Sequence, residues 1–97
     1  MRLGIRSFKS ADLAEIAVGR RPGRRFPADL IRVVQRKLAM LDAAIRLEDL
    51  RAPPANHLEA LPADRVGQHS IRVNDQFRLC FVWTTAGPED VEFVDYH

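Results

Sequence analysis

A chain of 97 residues, 46% of them hydrophobic, is expected to form a single domain over residues 1–97 with a modest core, which excludes an extensively disordered protein. The sequence has no apolar run of about 18 residues and no N-terminal signal region, so we expect neither a membrane protein nor an exported one. The net charge is only +2, and one cysteine with three dispersed histidines excludes a disulfide framework and a cysteine–histidine metal site, which fits a cytoplasmic protein without a cofactor.

The first half of the chain predicts one strand and two helices. Apolar and polar residues alternate over Ile5–Phe8, which is typical of a short strand. Ser10 is placed to cap a first helix, and Gly19 is placed to end it. A longer second helix begins near Pro27 and carries one apolar stripe made of Leu30, Ile31, Val34, Leu38, Leu41 and Ile45.

Positive charge is concentrated in this half of the chain. Up to Arg51 there are twelve basic and six acidic residues, whereas the remainder has three basic and seven acidic residues. Thirteen of the fifteen basic residues are arginines, whose planar guanidinium suits phosphate. A coding bias and a solubilising surface would explain this composition, and so would an anionic partner such as nucleic acid. The candidate contacts for such a partner are basic residues of the loop and of the outer helix face, namely Arg24, Arg25, Arg32, Arg36 and Lys37, which become candidate RNA contacts if that partner is RNA.

The second half of the chain predicts strands. Pro53 and Pro54 end the helical half, and the hydrophobic period then changes to two. Four strands are predicted, at residues 57–61, 68–73, 77–83 and 90–96. The resulting order, β-α-α-β-β-β-β, predicts an α+β fold in which two N-terminal helices pack on one face of a mostly antiparallel sheet of four or five strands. The other face of the sheet is expected to stay open.

The register of the central hairpin follows from its apolar alternation. The apolar residues of both strands must face one core, because a slip of one residue would turn one set to solvent. A two-residue turn would place Ile71 opposite Arg78, so we reject that register. A three-residue connection at 74–76 pairs Ile71 with Leu79 and places Arg72 directly opposite Arg78.

This arginine pair has two explanations. Like charges opposite each other on a sheet are unfavourable by a few tenths to about 1 kcal/mol. Either both side chains turn to water or pair with a carboxylate such as Asp95 or Glu92, or they bracket an anion such as a phosphate. An anion site of this kind would have to lie on the open face of the sheet.

The sequence ends on Asp95, Tyr96 and His97, directly after the last predicted strand. Strand alternation places Asp95 and His97 on one face and Tyr96 on the other. Taken singly, each is also explained as a solvated charge, an edge of the core or a frayed end.

Taken together, these features carry a family resemblance. The stretch "NHLEALPADRVGQHSIRVNDQFRLCFVW" followed by "DVEFVDYH" resembles the HigB toxins of the RelE-like superfamily. The opening "IRSFK" and the helix "FP…LDAA" resemble the same family. The similarity extends from about Ile5 to His97, and "GQHSIRVNDQFR" and the terminal "DYH" are its most specific motifs.

The resemblance implies a ribonuclease toxin of a type II toxin–antitoxin pair, which cleaves messenger RNA in the ribosomal A site and inhibits translation. It implies the RelE-like fold and a HigA-like helix-turn-helix antitoxin as partner, with operator DNA contacted only through that antitoxin. It implies no metal. The catalytic residues carried over are Arg72, Arg78, Asp95, Tyr96 and His97, and the RNA contacts carried over are Arg65 and His57.

Four positions depart from the family pattern. Many relatives have Arg where this chain has His57, and Lys where it has Pro62 and Val66. Some relatives have a His where Glu59 stands. Each difference removes a positive charge or a proton donor from the rim of the implied site, which puts efficient RNA cleavage in question more than the fold.

Cleavage through the RNA 2′-OH requires a base, a group that stabilises the phosphoryl oxygens, and an acid for the leaving 5′-oxygen. Arg72 and Arg78 are the candidates for the phosphate. His97, with a reference pKa of about 6.5, is suited to be base or acid. Tyr96 is suited to donate a proton or to stack on a base, and Asp95 to orient His97 or accept a proton. The sequence leaves the division of these roles open.

Two other functions remain open at this point. A ParE-like protein of the same fold would poison gyrase, although ParE proteins generally lack the terminal Asp-Tyr-His. A catalytically weak module that only binds an antitoxin would explain the departures at His57, Pro62 and Val66.

Overall fold

Two α-helices form one layer of the structure, a computed structural model in which residues 4–96 are described. Helix α1 spans Ala11–Ala17. Its first turn is capped as predicted, because the Ser10 hydroxyl accepts a hydrogen bond from the backbone N–H three residues later, at 3.3 Å. Gly19 follows the end of the helix with a φ of +80°, a conformation that glycine adopts without strain.

Helix α2 spans Ile31–Ala43 and is preceded by a 3₁₀ turn at Ala28–Leu30. The prediction that Ile45 extends its apolar stripe is wrong, because the helix has already ended and Ile45 is 69% exposed. The carboxylate of Asp49 accepts hydrogen bonds from the backbone N–H groups of Ile45 and its successor, both at 3.0 Å. These bonds begin a separate 3₁₀ turn at Leu47–Arg51, so the chain leaves the helix axis before Ile45 can be buried.

Four antiparallel strands form the second layer. They are β1 (Glu59–Ala60), β2 (His69–Arg72), β3 (Phe77–Thr84) and β4 (Gly87–Asp95). Their order in the sheet follows the chain, β1-β2-β3-β4. The predicted α+β class with helices on a mostly antiparallel sheet is therefore confirmed.

The predicted first strand is much reduced. Over Ile5–Phe8 the chain runs beside β4 but forms only one isolated bridge, the parallel pair Phe8 and Val91. The Ser7 hydroxyl accepts a hydrogen bond from the backbone N–H of Asp90 at 2.8 Å, so a side chain replaces part of the ladder. Backbone hydrogen bonds still join the two segments on either side of this contact, at 2.7 and 2.9 Å, and the left-handed φ of 54° at Asp90 between them interrupts the regular ladder.

The helices and the sheet bury one common core between them. From α1 and α2 it contains Leu13, Ile16, Val34, Leu38 and Leu41, and from the sheet it contains Ile71, Leu79, Phe81 and Val91. The opposite face of the sheet is less open than predicted, because Ser70 and Cys80 on that face are also fully buried. Within residues 4–96, no helix is both long and apolar enough to span a membrane.

Candidate functional site

The predicted hairpin register is confirmed. Ile71 pairs with Leu79, and Arg72 stands directly opposite Arg78. The Asn74 side chain stabilises the three-residue turn by accepting hydrogen bonds from two backbone N–H groups, at 2.9 and 2.7 Å. Both arginines therefore project from the side of the sheet that the helices leave uncovered, which we call the arginine face and define by Ser70, Arg72, Arg78 and Tyr96.

Arg78 is the best-anchored cation of the arginine face. Its Nε donates to the Ser70 hydroxyl at 2.7 Å, and its Nη2 donates to the backbone carbonyl of His57 at 2.6 Å. Its Nη1 lies 3.5 Å from a carboxylate oxygen of Glu59, and its side chain is only 11% exposed. Its guanidinium carbon lies 5.3 Å from the centre of the Tyr96 ring, within the range of a cation–π contact. Four different groups thus fix the orientation of this guanidinium.

Every arginine of the second half of the chain has a carboxylate partner. Arg65 donates to Glu92 at 3.1 Å, and this bond raises the pKa of Arg65. Arg72 pairs with Asp75 at the tip of the hairpin. Arg78 and Glu59 form the third pair. The three positive charges are therefore matched by three negative charges. The predicted pairing of the arginines with a carboxylate therefore occurs, but with Asp75 and Glu59 in place of Asp95 and Glu92.

The residues near the end of β4 divide between the two faces. Tyr96 lies on the arginine face, over Arg78, and its backbone N–H donates to the Gln76 carbonyl at 2.7 Å. Asp95 pairs in register with Phe77, which packs against the core, so alternation turns Asp95 away from the arginines. The side chain of Gln76 donates to Asp95 at 3.1 Å. The structure therefore does not bring Asp95 to the arginine face, and His97 lies outside the described residues.

Glu59 is a site residue that the sequence reasoning placed only on the rim. Strand β1 pairs with β2 so that Glu59 stands opposite Ser70, the residue that binds Arg78. This pairing brings a half-exposed carboxylate directly to the best-anchored guanidinium. The short apolar alternation around Glu59 predicted a strand, but the eight residues between β1 and β2 left their register undetermined.

The predicted RNA contacts on the helical layer are largely where the sequence placed them. Arg24 and Arg25 are exposed in the segment between α1 and α2, and Arg32 and Arg36 are exposed on α2. These four belong to the layer on the other side of the sheet from Arg78. His57 is also exposed, with a left-handed φ of 45°.

Lys37 is a correction to the predicted surface. Its side chain is buried, with 5% of the residue exposed, and its Nζ donates to the side-chain oxygen of Asn56 at 2.5 Å. Lys37 therefore does not lie on the outer face with Arg36, and it is not available as an RNA contact. The physical reason is the helical spacing, since Lys37 follows Val34 by three residues and precedes Leu41 by four, on the buried side of α2.

Burial of Lys37 predicts a pH-dependent stability. Burial, and then the charges of Arg36 and Arg72, lower the pKa of the Lys37 ammonium. The unfolded chain then holds this proton more tightly, so the free energy of unfolding rises with pH between the lowered pKa and the ordinary lysine value of about 10.4. Lys37→Met removes this contribution to the pH dependence of stability. In urea titrations at several pH values up to about 10, the unmodified chain should gain stability relative to Lys37→Met as pH rises.

The difference in the free energy of unfolding between the two proteins does not contain the contribution of Cys80. Burial raises the pKa of the Cys80 thiol, so that group lowers the stability of both proteins as pH rises. The effect of Cys80 is therefore the same in both proteins and cancels in their difference. A difference that stays flat or falls with pH would contradict an ammonium buried at Lys37.

Within residues 4–96, no group of three or more His, Cys, Asp or Glu side chains has a geometry that could hold a metal ion. The arginine face carries guanidinium, phenol and hydroxyl groups, with the carboxylate of Glu59 beside them. Such a set is suited to bind a phosphate and to move protons beside it.

Comparison with known proteins identifies the family. A family model described as the RelE-like toxin of the type II toxin–antitoxin system HigB matches residues 7–97. Toxin HigB-1 of Vibrio cholerae is 41% identical over 76 residues, which cover 78% of this chain and 80% of that protein. An uncharacterised protein of Haemophilus influenzae is 47% identical over 57 residues, which cover 59% of this chain but only 56% of that protein.

A solved structure agrees in fold. The YoeB/ParE toxin from Agrobacterium tumefaciens superposes with a TM-score of 0.50 at 14% sequence identity, covering 100% of this chain and 99% of that one. At this identity the likeness concerns the fold alone. The sequence matches over nearly the whole chain show that this protein belongs to the HigB-like family, the RelE-like toxins of type II toxin–antitoxin systems, whose members have an antitoxin as partner.

Proposed function

We propose that this chain is a ribosome-dependent mRNA endoribonuclease, a toxin that cleaves messenger RNA in the ribosomal A site and thereby inhibits translation. HigB-like toxins are generally ribonucleases, which supports RNA as the substrate class. The observation that carries the proposal is the fixed guanidinium of Arg78, held beside Arg72 and under Tyr96 on one face of the sheet.

In this proposal the two arginines bind the scissile phosphate. Arg78 keeps its hydrogen bonds to Ser70 and to the His57 carbonyl and directs the rest of its guanidinium at the phosphoryl oxygens. Arg72 stands on the neighbouring strand and adds a second positive charge. Donors fixed before the reaction stabilise the charge that develops on the phosphate at little reorganisation cost.

Proton transfer in this proposal falls to the residues at the end of the chain and to Glu59. Tyr96 is on the arginine face, where its phenol is suited to donate a proton or to stack on an RNA base. We propose His97 as the second proton-transfer group and Asp95 as a residue that orients the end of the chain through Gln76. Glu59, 3.5 Å from Arg78, is a further carboxylate suited to accept the 2′-OH proton.

The paired state of the arginines supports dependence on the ribosome. Arg65, Arg72 and Arg78 each contact a carboxylate, so the site has little net charge with which to attract free RNA. RNA that is already held in place need not be recruited by electrostatic attraction, because positioning converts the encounter into an intramolecular step. We propose that the exposed basic residues of the helical layer, Arg24, Arg25, Arg32 and Arg36, contribute contacts to ribosomal RNA.

The proposed cellular setting follows from the same function. A HigA-like helix-turn-helix antitoxin would neutralise the toxin, and operator DNA would be contacted only through that antitoxin. A toxin that acts on translating ribosomes would work in the cytoplasm.

The proposal is tested by incubating the purified protein with ribosomes that carry a defined mRNA in the A site. We expect cleavage within the A-site codon and much slower cleavage of the same mRNA without ribosomes. A parallel supercoiling assay with gyrase tests the ParE-like alternative. Intact mRNA together with inhibited gyrase would replace our proposal with that alternative, and intact mRNA with active gyrase would favour a module that only binds an antitoxin.

One surface feature favours that weaker, antitoxin-binding module as the second candidate function. Val66 is 78% exposed directly after Arg65, at a position where the family resemblance leads us to expect Lys. The exposed Pro62 is a second such position. The rim of the site therefore lacks two positive charges that RNA binding would use.

Restoring one of these charges gives a prediction. Val66→Lys should tighten binding to single-stranded RNA by about two- to tenfold at low salt, because it adds a phosphate contact near Arg65, and the gain should shrink as salt rises. Fluorescence anisotropy with a labelled oligonucleotide measures it. Val18→Lys is the matched control, since Val18 is 66% exposed on the helical layer. Equal gains from both variants would show that net charge, and not the rim, sets RNA affinity.

A further inference from the structure

A chain of two hydrogen bonds, joined by the backbone between Asn56 and His57, connects helix α2 to the arginine face. It begins at the buried ammonium of Lys37, which donates to the side-chain oxygen of Asn56 at 2.5 Å. It continues through the backbone to His57, whose carbonyl accepts from Arg78 at 2.6 Å. Helix α2 packs on the other face of the sheet from Arg78, and the segment that contains Asn56 and His57 leads into the edge strand β1.

Asn56 is the fixed centre of this chain. It is completely buried, and its side-chain nitrogen donates to the carbonyl oxygens of Leu50 at 3.1 Å and Ala52 at 3.4 Å. Since the Asn56 oxygen accepts from Lys37, both ends of the amide have hydrogen-bond partners, and these partners fix its orientation. The Asn56 side-chain nitrogen also lies 3.7 Å from the Met40 sulfur, so Asn56 attaches the segment that precedes β1 to α2 through Lys37 and Met40.

His57 needs this attachment because of its backbone. A φ of 45° and a ψ of 55° place a residue other than glycine in the left-handed region, which carries a conformational cost and persists where surrounding contacts determine it. In this conformation the His57 carbonyl points at the Arg78 guanidinium. If the segment relaxes, that acceptor withdraws, and the neighbouring carboxylate of Glu59, now at 3.5 Å, is the competing partner.

We propose that Lys37 is a positioning residue for Arg78, acting through Asn56 and the His57 carbonyl to hold the guanidinium in the orientation that receives a phosphate. Its role in RNA cleavage rests on the proposed function, whereas its control of the Arg78 orientation does not. Lys37 touches neither RNA nor the reacting atoms.

The first test reads the orientation of Arg78 without any RNA. In a ¹⁵N-labelled protein, the Nε–H signal of Arg78 is assigned as the arginine side-chain signal that Arg78→Lys removes. Lys37→Met should shift or broaden this signal, and Asn56→Ala should do the same. The double variant should change it no more than Asn56→Ala alone, because Lys37 acts on this segment through Asn56.

Val34→Ala is the matched control for a general loosening of α2. Val34 is fully buried on the same helix and belongs to the apolar core. It should lower the melting temperature while leaving the Arg78 signal in place. If Lys37→Met does not fold, Lys37→Gln replaces it, with the same expectation for the Arg78 signal.

The second test measures ribosome-programmed cleavage at saturating substrate. Lys37→Met should lower the cleavage rate by about ten- to a hundredfold, because a small misorientation of a positioned group is sufficient for such a loss. An unchanged Arg78 signal overturns the inference, and so does a variant that cuts at the unmodified rate. A shifted signal in a protein that never cuts RNA supports the positioning and overturns the proposed function alone.

Discussion

Arg78→Lys should reduce ribosome-programmed cleavage by at least about a hundredfold, the typical loss when one fixed donor to a developing oxyanion is removed. Lysine keeps the charge but cannot reproduce the guanidinium fork, which here reaches Ser70, the His57 carbonyl and Glu59 at the same time. The cleavage rate at saturating ribosomes should change more than the ribosome concentration that gives half of that rate, because the contact matters most in the transition state.

The lysine variant is preferable to Arg78→Ala for this measurement. Ser70 is fully buried, and removing the whole arginine side chain would leave its hydroxyl without a partner, at a cost of roughly 1–3 kcal/mol. Arg6→Lys is the control, since Arg6 is exposed near the start of the described chain. Equal cleavage by Arg78→Lys and Arg6→Lys would contradict a phosphate-binding role for Arg78.

The hairpin shows what periodicity can predict. A period of two fixes which residues share a face, and only a three-residue turn brings both apolar sets to one core. The position of Arg72 opposite Arg78 followed from these two facts and is confirmed. The same alternation correctly separated Asp95 from Tyr96, since only Tyr96 lies over Arg78.

Lys37 shows how residue type can mislead where spacing does not. Lys37 belongs by spacing to the stripe that contains Val34, Leu38 and Leu41, so helical periodicity by itself indicates a buried position. Its charge led to the opposite prediction, since lysine is rarely buried. The acceptor that makes this burial tolerable, Asn56, is nineteen residues away, and no local pattern indicates it.

The carboxylates of the arginine face could not be predicted for a related reason. The pair of Arg78 with Glu59 depends on the register of β1 against β2, across a connection whose path alternation does not determine. The pair of Arg65 with Glu92 joins residues that are 27 apart in sequence. The sequence therefore indicated the cations of the site, while tertiary structure determined which anions neutralise them.

A chain that stops after Asp95 should lose cleavage by roughly 10²–10⁴, because it lacks both Tyr96 and His97 and hence the proton transfers proposed for them. Two substitutions at Tyr96 then separate the roles of its ring and its hydroxyl. Tyr96→Phe keeps a ring over Arg78 but has no proton to donate, whereas Tyr96→Ala removes both. If the phenol moves a proton, Tyr96→Phe should be nearly as inactive as Tyr96→Ala.

Stacking on an RNA base predicts the opposite order, with Tyr96→Phe close to the unmodified chain and Tyr96→Ala impaired. His97→Ala completes the series. If the imidazole transfers a proton, His97→Ala should lower the cleavage rate and change its dependence on pH in a way that Tyr96→Phe does not. Asp95→Asn should cost less than about tenfold, because Asp95 lies on the other face and the variant keeps a side-chain oxygen that accepts from Gln76. Growth arrest by the shortened chain equal to that by the full chain would exclude the end of the chain from the chemistry, leaving Arg72, Arg78 and Glu59 as the remaining candidates.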